Sequence, residues 1–118
     1  MKYVCLVYVE GSRLHAMTAE QMAKIDADSL AYDRSLEQGG HLIIAEALQS
    51  VKTSKSVRRR KGKALITDGP FAETKEQLLG FVMIEADSLD AALGIAAGIP
   101  LAELGTIEVR AIYNVPGS

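Results

Sequence analysis

Asp68 stands at the end of a strand-like stretch, Lys63 to Thr67, directly before Gly69-Pro70. A carboxylate there can act as a general base or hold a cationic ligand group, provided that burial or a like charge raises its pKa. The same position suits an Asx-type turn, the commoner use of such an aspartate, in which the carboxylate accepts backbone N–H groups while Gly69 supplies permissive dihedrals. Lys75 is long enough to cross the loop towards Asp68 or a neighbouring subunit, and Glu73 and Glu76 beside it suit a helix N-terminus.

Arg58, Arg59 and Arg60 alternate in a strand, so Arg58 and Arg60 share one face and Arg59 takes the other. An arginine packed over a sheet must be paired, with Glu46, Asp68 or Glu108 as the available carboxylates, or it must grip a carboxylate or phosphate ligand. The simpler reading is a solvated hairpin whose charges discourage edge pairing. Glu108 and Arg110 share a face of the last strand, with Glu85 as a candidate neighbour. On an open sheet this pair neutralises itself, whereas in an enclosed cavity it lines the polar space. Asp68 is thus the one acid/base candidate, and Arg58, Glu46, Lys75, Glu108 and Arg110 are the ligand-binding candidates. His15, in a loop, and His41, at a strand start, lack HxH or HExxH spacing, so no metal site is expected, and no phosphate loop or Ser-His-Asp order points to a cofactor or a triad. Cys5 reads as a small buried hydrophobe.

These residues sit on 118 positions, enough for one domain with a real core. Hydrophobic residues make up 48 % of the chain but only six are Phe or Tyr, so the core is expected to be aliphatic and disorder is excluded. The N-terminal apolar stretch lacks a signal-peptide cleavage site, and no apolar run is long enough to span a membrane, so a cytoplasmic protein is expected. The net charge of −2 hides seven basic residues between 52 and 63 with no acid among them. That run lacks the interleaved aromatics of a single-strand binder, and the acidic remainder repels a polyanion, so nucleic acid is not the expected partner.

Residues 2–9 are apolar on both faces, which fits a central strand covered on both sides. Thr18 and Gln21 form a capping box ahead of Met22, Ile25, Ser29, Tyr32 and Leu36, a helical stripe stopped by Gly39-Gly40. His41 to Leu48 reads as a strand, with Leu42, Ile44 and Glu46 on one face and Ile43, Ala45 and Ala47 on the other. Lys61-Gly62 is a two-residue hairpin signal between Ser56–Arg60 and Lys63–Thr67. Thr74 to Gln77 is a second capping box, expected to start one short helical turn. A strand over Phe81–Ala86, a helix capped by Ser88 and ending at Gly98, and a strand over Thr106–Val115 complete the chain. The order is βαββαβ with an inserted hairpin, an α+β ferredoxin-like plan whose helices cover one sheet face only. The other face is then polar or buried in a partner, and the two-sided apolarity of strand 1 argues for a homodimer enclosing a small polar cavity.

The run Thr67-Asp68-Gly69-Pro70-Phe71-Ala72-Glu73-Thr74-Lys75-Glu76-Gln77-Leu78, followed by Gly80-Phe81 and by Glu108-Val109-Arg110, resembles the DGPF branch of the YCII-related proteins. The resemblance implies a dimeric α/β barrel in which two sheets face each other. It also implies a histidine on the first helix and an aspartate before the proline after the second helix as a catalytic pair. Those positions hold Ser29 and Ile99 here, so the pair is absent. A single domain over residues 1–118 that binds a small molecule or regulates is therefore the leading expectation. The alternatives are an enzyme acting on a small polar metabolite through Asp68, and an interaction partner of a transcription factor.

Overall fold

The computed structural model describes all 118 residues, Met1–Ser118. Four strands form the main antiparallel sheet in the order β2 (Leu42–Ala47), β5 (Glu76–Glu85), β1 (Lys2–Glu10), β6 (Thr106–Ala111). The helices α2 (Ala19–Gln38) and α3 (Leu89–Ala97) join them, and β3 (Lys55–Arg60) with β4 (Lys63–Asp68) forms a separate two-stranded ribbon inserted between β2 and β5. This is the ferredoxin-like α+β plan with the expected hairpin.

Helix α2 begins where the sequence places it. The Gln21 N–H donates to Thr18 Oγ1 at 3.1 Å and the Thr18 N–H to Gln21 Oε1 at 2.9 Å, which satisfies two donors that the first turn leaves without helical partners. Its inward stripe is Met22, Ile25, Ser29, Tyr32 and Leu36, of which Leu36 is buried and the others half-buried. Ser88 caps α3 by accepting from the Ala91 N–H at 3.1 Å. Gly98 ends α3 against the Tyr32 ring, in a space that no Cβ could share.

The core lies between the helices and one sheet face. Tyr3, Cys5 and Val7 of β1 meet Val82 and Ile84 of β5 and Ala92 and Ala96 of α3 there. Burial pushes the Cys5 thiol up, away from the reactive thiolate. Cross-strand partners share a face, so the opposite face holds Val4, Leu6 and Tyr8 with Phe81, Met83, Glu108 and Arg110. No helix covers it. Val4, Leu6 and Tyr8 are therefore half-buried, whereas Tyr3, Cys5 and Val7 on the covered face are buried.

Four local expectations change. The face assignment of β2 fails, because a bulge between Leu42 and Ile44 puts Leu42 opposite Ile84 but Ile44 opposite Met83, so these two no longer share a face. The helical turn at Thr74–Gln77 does not form. Residues from Glu76 onward extend β5 as far as the pair Glu10↔Glu76, with Leu79 as the extra residue of a second bulge. A ladder against a central strand satisfies more backbone groups than one isolated turn. The last strand stops at Ala111, and the segment around His15, read as a loop, is the short helix α1 (Gly11–Ala16), pinned by Arg13 Nη1 donating to the Leu104 carbonyl at 3.1 Å.

At the ribbon tip Lys61 and Gly62 both take positive φ (52° and 76°), the mirror-image turn that matches strand twist. Six register pairs run from Arg60↔Lys63 to Lys55↔Asp68. The root is closed by the Gly69 N–H on the Ser54 carbonyl at 2.8 Å. The molecule is a slab of 47 × 46 × 19 Å with a radius of gyration of 16.2 Å. A compact chain of this length has about 13.5 Å, so the ribbon projects as an arm.

Candidate functional site

Chemistry-bearing side chains gather at three places. The first is a groove of about 470 Å³ between α2 and the β2/β5 side of the sheet. Asp26, Ser29, Tyr32 and Asp33 of α2 form one wall, and Ile99–Leu101 close one end. The inward stripe positions Ser29 and Tyr32, and Asp33 lies one helical turn beyond Ser29 on the same side. Desolvation holds the Asp33 carboxyl above the usual aspartate range. It makes no ion pair within the chain, whereas the Tyr32 hydroxyl is committed to the Ile95 carbonyl at 2.6 Å. Burial pushes the Tyr32 phenol up and keeps it a donor. No lysine, arginine or histidine lines the groove.

The second place is a concavity of about 610 Å³ at the end of the uncovered face, lined by Tyr8, Glu10, Thr74, Lys75, Glu76, Thr106 and Glu108. Lys75 Nζ lies 3.5 Å from Glu10 Oε1, and Thr106 Oγ1 donates to Glu76 Oε1 at 3.2 Å. Three carboxylates face one ammonium group. The third place is the arm, with Arg58, Arg59, Arg60, Lys61 and Lys63 all exposed and none in an ion pair.

The residues singled out from sequence separate accordingly. Lys75 and Glu108 come together in the concavity. Arg110 lies on the same face, opposite Val4. Glu46 belongs to the groove lining and pairs with Phe81. Arg58 and Asp68 are on the arm, where Asp68 is 88 % exposed and pairs with Lys55 across the ribbon. That ion pair replaces both the buried base and the Asx turn, since the Gly69 N–H is taken by Ser54. Lys75 meets Glu10 and not Asp68, and no arginine of the arm packs over its own sheet. Glu85 is no neighbour of Arg110. It lies across β1 opposite Lys2, hydrogen-bonded to the Met1 ammonium group at 2.8 Å, which holds its carboxyl below the usual range.

Asp26, Asp33, Glu10 and Tyr8 were not among the sequence candidates. The available signal for Asp33 was its place one helical turn after Ser29 of the inward stripe, which says nothing of its desolvation, and the pairing of strand ends was not readable for Glu10. No three of the histidine, cysteine or carboxylate side chains come together as a metal site.

A four-stranded antiparallel sheet with helices on one face, the other face uncovered and a polar concavity at its end defines an α+β protein of the ferredoxin-like plan. The sequence model of the YCII-related domain matches residues 1–116, and the chain belongs to that family. An uncharacterized protein of Rhizobium meliloti (strain 1021) is 37 % identical over 121 residues, covering 99 % of this chain and 97 % of that protein. Among solved structures, 5-chloro-2-hydroxyhydroquinone dehydrochlorinase (TftG) from Burkholderia phenoliruptrix AC1100, in complex with 2,5-dihydroxybenzoquinone, superposes with a TM-score of 0.56. It is 15 % identical and the match covers 96 % of this chain and 94 % of that one, so it shares the fold.

Proposed function

We propose that this protein of the YCII-related family, in its DGPF branch, is a cytoplasmic homodimer that binds a small molecule in the groove under α2 and holds it without chemical change. The observation that carries this reading is the groove lining. Ser29 and Ile99, the two positions where the resemblance implies a catalytic histidine and aspartate, both line that groove. Neither an aliphatic hydroxyl nor an isoleucine exchanges protons near neutral pH. The groove lacks the acid–base pair.

Its chemistry selects the ligand. Ten of the sixteen lining residues are hydrophobic, and the polar groups are carboxylates and hydroxyls with no cation among them. A small apolar body bearing an amine or hydroxyl donor fits, because its donor would satisfy the partly desolvated Asp33 carboxyl. An anion would meet only repulsion there.

Thermal shift and calorimetry with small cyclic amines and phenols, set against the matched carboxylic acids, test this. Donor ligands should raise Tm, Asp33→Asn should abolish the rise, and Asp68→Asn should leave it intact. A preference for carboxylates, or loss of binding in Asp68→Asn alone, would move the site to the arm. Conversion of the bound ligand to a product would establish the enzyme reading instead.

A further inference from the structure

The arm carries a basic and partly apolar surface that nothing else in the chain covers. A two-stranded ribbon is marginal in water on its own, yet this one carries Val57, Leu65 and Ile66 at 66 %, 50 % and 67 % exposure. It has six basic residues and one acid, so the rest of the chain holds seven basic against fourteen acidic residues. Lys55 is paired with Asp68, and the five other cations have no carboxylate partner. By register, Arg58, Arg60 and Lys63 lie on one ribbon face with Ser56, Leu65 and Thr67, and no carboxylate.

The body carries the complement. Glu10, Glu76 and Glu108 surround the concavity at the end of the uncovered sheet face, with only Lys75 to offset them. No residue of the arm lines the concavity of its own chain.

Area supports a second chain. The molecule exposes 8499 Å², whereas a monomer of 12.7 kDa is expected to expose about 6,200 Å². The excess of roughly 2,300 Å² is more than the ~800 Å² that each partner contributes to a standard interface.

We propose that each protomer lays its β3–β4 arm on the acidic concavity of a second copy of this chain, so that Arg58, Arg60 and Lys63 complete a site that Glu10, Glu76 and Glu108 leave unbalanced. The exchange is reciprocal, one arm and one concavity from each chain, as a two-fold axis requires. It does not depend on what the α2 groove binds. A polyanion is the competing occupant. It is disfavoured because the arm contains no aromatic residue for stacking and because fourteen acids lie on the rest of the chain.

Sedimentation velocity over a dilution series tests the exchange with two reversed proteins, Arg58→Glu/Arg60→Glu and Glu10→Lys/Glu108→Lys. Each alone sets like charges against each other at both contacts. Its dimer should dissociate at least about tenfold more readily than the wild type. Mixed together, they form a heterodimer with both contacts attractive, and the dimer should return. Recovery on mixing also shows that both variants fold. Dimers of undiminished strength in both variants would sink the arm exchange while leaving face-to-face pairing of the sheets intact, and a monomeric wild type would sink both. Salt-sensitive binding of mixed-sequence DNA or RNA, lost in Arg58→Glu/Arg60→Glu with dimerisation unchanged, would assign the arm to nucleic acid.

Discussion

Asp33 and Asp68 have the same side chain and opposite surroundings, and their variants should separate accordingly. Desolvation raises the Asp33 carboxyl in the folded protein above its value in the unfolded chain, so the fold disfavours the charged form. The penalty is absent at pH below the unfolded value of about 3.9 and grows as pH rises from there through the folded value. Asp33→Asn should therefore raise Tm at neutral pH and leave it unchanged in strong acid, as a pair of melting curves would show. An amine seated against Asp33 should bind more tightly as the pH rises through the same interval, because binding favours the carboxylate. Asp68→Asn removes an exposed cross-strand pair, worth under about 1 kcal/mol, and should barely shift a urea midpoint. Reading these roles from sequence meets a physical limit. Residue type is visible, but desolvation is made by neighbours distant in the chain, so Asp68 before Gly-Pro attracted attention and Asp33 on a helix did not.

Capping, turns and bulges decide which segments become elements. Thr18→Ala should cost about 1 kcal/mol in chemical denaturation, since the box at the start of α2 loses its side-chain acceptor. Gly80→Ala should cost more. A Cβ there would meet the Glu46 carbonyl oxygen at 2.6 Å, and backbone of the neighbouring strand cannot swing aside as a side chain can. The helical stripe, the Lys61-Gly62 turn and the inward alternation of β6 were legible because each depends on residues within a few positions. Thr74–Gln77 carries the same local signal as Thr18–Gln21, yet only the second becomes a helix. The difference is the strand beside it: Glu10 and Val9 pair with Glu76 and Gln77, and nothing local announces that partnership. The bulge at Ile43 is hidden for the same reason, since an extra residue in one strand shows only against the other.

Only 13 of the 118 residues are buried, and the core lies on one sheet face. Val4, Leu6, Phe81 and Met83 wait on a face that no helix covers, and pairing two such faces would raise stability with association. Tm should then increase with protein concentration, and differential scanning over a hundredfold range, at ~1 kcal/mol or more per decade, would detect it. Concentration-independent melting would contradict the dimer. The uncovered apolar sheet face was legible from the two apolar faces of residues 2–9, whereas the projection of the arm was not, because hairpin signals specify the turn and not where the ribbon points.

Closure of the arm's root, by the Gly69 N–H on the Ser54 carbonyl and the Ser56 hydroxyl on the Gly69 carbonyl, also separates the molecule in time. Every arm pairing spans few residues, 13 between Lys55 and Asp68, whereas the main sheet pairs strands as distant in sequence as Tyr3 and Ala111. Low contact order favours rapid formation, on the order of microseconds for a hairpin, and distant strand pairing is slow. The ribbon can therefore form and dissolve many times before β1 finds β5 and β6, and the root closure lets it do so without pulling on either. During folding it is a basic, apolar-rich segment in search of an acidic surface that does not yet exist. Premature capture of one arm by another unfinished chain is the characteristic hazard of this architecture, and the cations along it, which repel their counterparts on a second arm, are its safeguard.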